Sequence, residues 1–98
     1  MKNKYKKILL SGFDNKQIVS FKKKFKNIRF FNYNNIKSLQ NEYDAFVSIN
    51  RRGFETFYES DYEKLKNQLS WIHISAAGLD IYPKLFDNTK FTLTNGKI

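Results

Sequence analysis

The chain has 98 residues, 41% of them hydrophobic, and a formal charge of +9, which is enough for one domain with a real core and too little for two. Cysteine is absent and methionine occurs only at position 1, so a disulfide framework, a thiolate metal site and a cysteine nucleophile are excluded. No apolar run approaches the roughly 18 to 20 residues that span a bilayer, and Ile8 to Leu10 is too short an apolar segment for a signal peptide, so a soluble cytoplasmic chain is expected.

Lys7 to Leu10 is a short apolar run closed by Ser11-Gly12, after which Asp14 or Asn15 can cap a helix carrying Ile18, Phe21 and Phe25 on one face. Ile28 to Phe31 is a second run, ended by the polar cluster Asn32 to Asn35. A weaker helical segment with Ile36, Leu39 and Tyr43 follows. Asp44 to Ile49 is the cleanest strand, and Asn50-Arg51-Arg52-Gly53 reads as the polar, glycine-ended loop that breaks it. Ser60 to Glu63 matches a capping box, which predicts a third helix with Tyr62, Leu65 and Leu69 facing inward. Trp71 to Ser75 is a fourth strand. Pro83 interrupts what reads as a single helical turn around Tyr82 to Phe86, and Phe91 to Thr94 is a fifth strand. Five strands alternating with helices predict an α/β fold: an open parallel sheet in the order 2-1-3-4-5 with right-handed crossovers.

The charge invites a nucleic-acid reading, but composition supplies a plainer one. The chain holds 15 Lys, 11 Asn, 9 Ile, 10 Phe and 6 Tyr, residue types whose codons can be written almost wholly in A and T. Lys22, Lys23, Lys24 and Lys26 sit where a helix meets water, and only three arginines offer two-bond phosphate contacts. Nucleic-acid binding is therefore the weaker reading.

In open α/β sheets ligands gather outside the carboxyl ends of the strands, which directs attention to residues 11–15, 50–53, 75–80 and 94–97. Ser75-Ala76-Ala77-Gly78 leaves almost no side chain above the end of strand four. Successive N–H groups in such a turn can form a nest for a carboxylate or phosphate. Equally, Gly78 can supply positive φ for a tight turn and nothing more. Arg51 and Arg52 follow the best strand, where one can fork onto a carboxylate while the other is solvated, or both can be solvated. His73 shares a strand face with Trp71 and Ser75, so a packed, hydrogen-bonded histidine is expected. The four glycines form no GxGxxG, and no GKS or GKT loop occurs. Glu55, Glu59, Asp61 and Glu63 read as the polar face of the third helix, and no complete catalytic set is present.

Leu69-Ser70-Trp71-Ile72, the small-residue turn ending Gly78-Leu79-Asp80, and the segment Phe91 to Gly96 together resemble the N-terminal catalytic, or substrate-binding, domain of the D-isomer-specific 2-hydroxyacid dehydrogenases. The specific likeness covers about residues 65 to 97, and the first half agrees in its alternation of strands and helices. The resemblance implies a single flavodoxin-like domain over residues 1–98, with helices on both faces of its sheet. In such enzymes it closes against a Rossmann domain that binds NAD or NADP. It implies a substrate-binding set of Ala76, Ala77 and Gly78, whose backbone N–H groups would hold the carboxylate of a small 2-keto or 2-hydroxy acid, with Arg51 or Arg52 as the approaching cation. The family's catalytic histidine, its acidic partner, the arginine that grips the keto acid and the glycine fingerprint all belong beyond this region, so His73 inherits no role.

These implications divide the labour. Residues 1–98 alone are expected to lack hydride transfer, because cofactor site, general acid and base are missing. The chain is then either a fragment of a longer reading frame or a domain kept without its partner. A stand-alone flavodoxin-like binding or interaction module, monomer or homodimer, is the alternative expectation.

Overall fold

The computed structural model describes residues 6–35, 42–75, 82–86 and 90–96. It contains strands β1 (Lys7–Ser11), β2 (Arg29–Asn32), β3 (Ala45–Ser48), β4 (Trp71–Ile74) and β5 (Thr92–Asn95), and helices α1 (Asn15–Lys24), α2 (Arg51–Ser60) and α3 (Tyr62–Leu65). Single helical turns lie at Tyr33–Asn35 and Pro83–Phe86. All four strand pairings are parallel and the order is β2-β1-β3-β4-β5, the α/β flavodoxin-like sheet expected from the alternation of elements.

The strands form where apolar residues run together because inner parallel strands are buried on both faces. β3 is buried at every position, and β1 at all but its first. The edge strands β2 and β5 carry the exposed positions Arg29, Thr92 and Asn95. Asp44 fixes the register at the amino edge: its carboxylate accepts from the backbone N–H of both Lys6 and Lys7, at 2.8 Å each.

Alternation along the strands divides the core in two. Leu9, Phe46, Ile72 and Ile74 point to one face, where Phe54 and Phe57 of α2, Tyr62 and Leu65 of α3, and Tyr82 and Leu85 cover them. Ile8, Leu10, Ala45 and Val47 point to the other, against Phe13, Ile18 and Phe21. The first is the thick face of the sheet and the second the thin face.

Two sequence expectations are corrected. Asn50 to Gly53 is not a loop, because α2 begins at Arg51. Asn50 is its N-cap, its side-chain oxygen accepting from Gly53 N–H at 2.8 Å. That bond satisfies a helix-start donor and holds a glycine that otherwise reads as a breaker. Nor does Ser60 to Glu63 form a capping box. α2 runs through Ser60 and turns at Asp61, whose N–H still bonds Phe57 O at 2.8 Å. Asp61 makes no side-chain cap to α3 and accepts instead from the Tyr33 hydroxyl. Tyr62, Leu65 and Leu69 are buried as expected. The expected helical segment at Ile36 and Leu39 lies outside the described residues, and Tyr43 is a buried residue outside any helix. Among the described residues no helix is long and apolar enough to cross a membrane.

Candidate functional site at the carboxyl edge

Chain direction reverses between β1 and β3, since β1 leads outward to β2 while β3 leads the other way to β4. Crevices of open α/β sheets form at this point. The strand ends lie level: Ser11 is in register with Ser48, and Ser48 with Ile74. Ile49 N–H donates to Ser11 O at 3.0 Å, and Ser75 N–H to Ser48 O at 2.9 Å. Ser75 thus stands beside Ser48 at the mouth of the sheet.

The first turn of α2 closes down on this row. A Cβ on Gly53 would overlap Ser11 Oγ and lie 3.2 Å from Ser48 Oγ, so glycine is what lets the helix start touch the strand ends. Ser48 Oγ donates to Asn50 O at 2.7 Å. Ser11 Oγ is buried with no hydrogen-bond partner among the described residues. Gly12, with φ of 86°, makes the turn out of β1, where a side chain would strike Ile49. Its N–H donates to Asn34 Oδ1 at 3.2 Å.

Two helix starts face this edge, and their electrostatics differ. α1 carries its own carboxylate: Asp14 accepts from Gln17 N–H at 2.8 Å while Gln17 Oε1 accepts from Asp14 N–H at 2.9 Å. α2 is capped by neutral Asn50, has no acidic residue in its first turn, and begins with Arg51 and Arg52. The positive end of the α2 dipole is therefore the one not met by a carboxylate of its own cap or first turn.

The predicted site residues fall as follows. Arg51 is half-buried and Arg52 exposed, consistent with successive helix positions turned about 100° apart. One turn beyond Arg51, Glu55 accepts from the Tyr82 hydroxyl at 2.7 Å. Burial first and then this bond push Tyr82 up to about 12, with Arg51 acting in the opposite sense from nearby. Ala76, Ala77 and Gly78 lie outside the described residues.

His73 belongs to the neighbouring strand pair. Trp71 Nε1 donates to Thr94 Oγ1 at 2.8 Å, and Thr94 Oγ1 lies 2.7 Å from His73 Nδ1. His73 Nε2 lies 3.2 Å from Gly96 O. A carbonyl only accepts, so in the neutral ring Nε2 carries the proton and Nδ1 accepts from the Thr94 hydroxyl. The ring ties β5 to β4, the packed and bonded role expected for it.

Sequence reading missed the Asn50 cap and the contact of Gly53 with Ser11. The spacing of Phe54, Phe57 and Tyr58 behind an Asn was the available signal, since it is helical and begins at Asn50.

Among the described residues no three His, Cys, Asp or Glu side chains form a group able to hold a metal ion. A dinucleotide does not fit at the first turn of this chain. The Asp14 carboxylate occupies the α1 start where a pyrophosphate would sit.

What fold and edge define is an α/β domain with its chain reversal between β1 and β3. No family model, no curated protein and no solved structure matches the chain.

Proposed function

We propose that this chain is the N-terminal substrate-binding domain of a D-2-hydroxyacid dehydrogenase-like oxidoreductase, a cytoplasmic protein, and that it holds the carboxylate of a small 2-keto or 2-hydroxy acid. The observation that supports this reading is the start of α2, a neutral cap followed by Arg51, set over the ends of β1 and β3 at the reversal point. In this reading Ala76, Ala77 and Gly78 supply backbone donors and Arg51 the cation, while Arg52 remains in solvent. The parent reaction interconverts a 2-keto acid and a D-2-hydroxy acid with NAD or NADP, which belongs to a separate Rossmann domain. The present residues bind and orient the acid. His73 is assigned no proton transfer, because both its ring nitrogens already have partners.

The test is a titration of the isotope-labelled 98-residue protein with glyoxylate, pyruvate and hydroxypyruvate, followed by amide resonances. Saturable shifts at Arg51 to Gly53 and at Ala76 to Gly78 are expected. Arg51→Gln should weaken binding about tenfold by removing a charge-assisted contact, and Arg52→Gln should leave it nearly unchanged. No shift with any of the three acids would sink the reading. Turnover of NADH by residues 1–98 alone would overturn the division of labour between the two domains.

A further inference from the structure

The two faces of the sheet are covered unequally, and chain handedness is the cause. A right-handed crossover from β1 outward to β2 lies on one face, and crossovers running the other way, from β2 back to β3 and on to β4 and β5, lie on the opposite one. Among the described residues α1 is accordingly the sole helix on the thin face. Beside α1 runs a groove of about 210 Å³ whose lining is entirely apolar, with Leu10, Phe21, Phe25, Phe30, Val47 and Trp71 in its walls. Phe25 is 48% exposed and Trp71 half-buried. Inner parallel strands are ordinarily covered on both faces, and among the described residues the second cover is partial.

Charge says what kind of cover fits. α1 carries Lys16, Lys22, Lys23 and Lys24 and no acidic residue. Lys22 and Lys26 line an adjoining concavity that shares Ile28 and Phe30 with the groove, while Arg29 on the same edge strand stacks over Phe31 of the thick face. The helical carboxylates Glu55, Glu59 and Glu63, with Asp61 at the joint, belong to α2 and α3 over the thick face. Asp14 is engaged in capping α1, and Asp44 in holding the Lys6 and Lys7 N–H groups. The thin face is thus an apolar cleft with a cationic rim.

We propose that this groove docks an amphipathic helix of a partner protein, apolar along one stripe and carrying carboxylates along its flank. Helices enter such grooves through anchors at i, i+3 or i+4, and i+7, and flanking carboxylates would meet Lys22 and Lys26. A second copy of the chain fits poorly, since a twofold contact would set this basic rim against itself. Duplex nucleic acid would satisfy the lysines but leave the apolar floor of Leu10 and Val47 uncovered. The inference rests on the thin face and is independent of the carboxylate reading at the strand ends.

Trp71 is the single tryptophan of the chain and lines the groove, so its emission reports occupancy. The 98-residue protein is titrated with a synthetic helical peptide bearing leucines at i, i+3, i+4 and i+7 spacing and glutamates on both flanks, and with a lysine-flanked counterpart. A saturable blue shift of Trp71 is expected with the glutamate peptide, at an affinity about tenfold or more above that of the lysine peptide. The exposed pair Lys22→Glu and Lys26→Glu, with helical content unchanged by circular dichroism, should invert that preference. Phe25→Ser should weaken both peptides. Equal binding of the two peptides, or no Trp71 response to either at millimolar concentration, would overturn the proposal. So would a response confined to anionic vesicles or duplex DNA, or burial of Trp71 by self-association alone.

Discussion

Phe46 and Val47 are neighbours on β3 that point to opposite faces of one sheet, and what each meets there differs in kind. Phe46 has no exposed surface and stacks on Phe57 with ring centroids 3.9 Å apart, while Tyr33 closes edge-on over both at 5.8 and 5.7 Å. The Phe54 ring meets Tyr82 edge-on at 5.0 Å, and Tyr62 meets Phe91 at 6.2 Å, so rings from α2, α3 and the chain before β5 interlock over the sheet. Val47 is also buried, but it borders the open groove beside α1. The thick face has the packing of an interior, whereas the thin face keeps its apolar surface near solvent. A small domain can concentrate its stability on one side of a sheet and leave the other for contact, and the pair Phe46 and Val47 measures the division.

The largest effect expected follows from that pair. Phe46→Ala removes a stacked, fully buried ring and should cost roughly 3–5 kcal/mol, a large part of the about 5–15 kcal/mol that such domains possess. Val47→Ala, one residue on, should cost about 1–2 kcal/mol, the worth of two buried methyl groups. Urea unfolding followed by circular dichroism gives both values. Equal losses would mean that the thin face carries as much of the fold as the thick one.

A middle-sized effect lies where the thick face meets the strand ends. Gly53→Ala places a methyl group on Ser11 Oγ and should cost about 1–3 kcal/mol, the usual range for overpacking. Ser11→Ala removes the overlapping oxygen, a buried hydroxyl without a hydrogen-bond partner among the described residues, whose loss is close to neutral. The double variant should therefore recover part of the loss, a coupling that a double-mutant cycle reads directly. Additive losses would show that Gly53 is needed for its backbone alone and not for the approach of α2 to β1.

This contact also marks the limit of what was legible in the sequence. Inner parallel strands announce themselves because burial on both faces demands continuous apolar residues, and Ile8 to Leu10, Ala45 to Val47 and Trp71 to Ile74 meet that demand. Their alternation with helices was enough for the order 2-1-3-4-5. Hydropathy records period and does not record how closely two backbones approach, so Gly53 reads as a breaker when it is the third residue of a helix packed on Ser11. Ser60 fails as a cap for a related reason. Local pattern offers Asp61 and Glu63 to a new helix start, but Tyr33, 28 residues away in sequence, takes the Asp61 carboxylate. Of the candidate site, the strand ends were legible, whereas Arg51 and Arg52 read as a loop and instead open α2 behind the Asn50 cap.

The smallest expected effect separates the faces by pH. Tyr33 and Tyr82, whose hydroxyls are held protonated by burial and a neighbouring carboxylate, both pack in the thick-face cluster, so alkaline loss of stability should originate there. Burial first, then the hydrogen bond to Glu55, push the Tyr82 hydroxyl from 10.0 up to about 12. Burial and Asp61 move Tyr33 in the same direction. An unfolded chain gives up such a proton near pH 10 while the folded chain retains it. The contribution is therefore complete below pH 10 and is lost as pH rises from 10 toward 12. Tyr82→Phe cannot ionise. It should cost about 1 kcal/mol at neutral pH through the lost hydrogen bond, yet show a shallower decline in urea midpoint between pH 10 and 12 than the parent protein. Tyr33 keeps that slope from vanishing. Val47→Ala lowers stability from the thin face without touching a phenol, so its decline should run parallel to that of the parent. If Val47→Ala flattened the curve as much as Tyr82→Phe, the two faces would not be separable in this way, and the alkaline transition would report the domain as a whole.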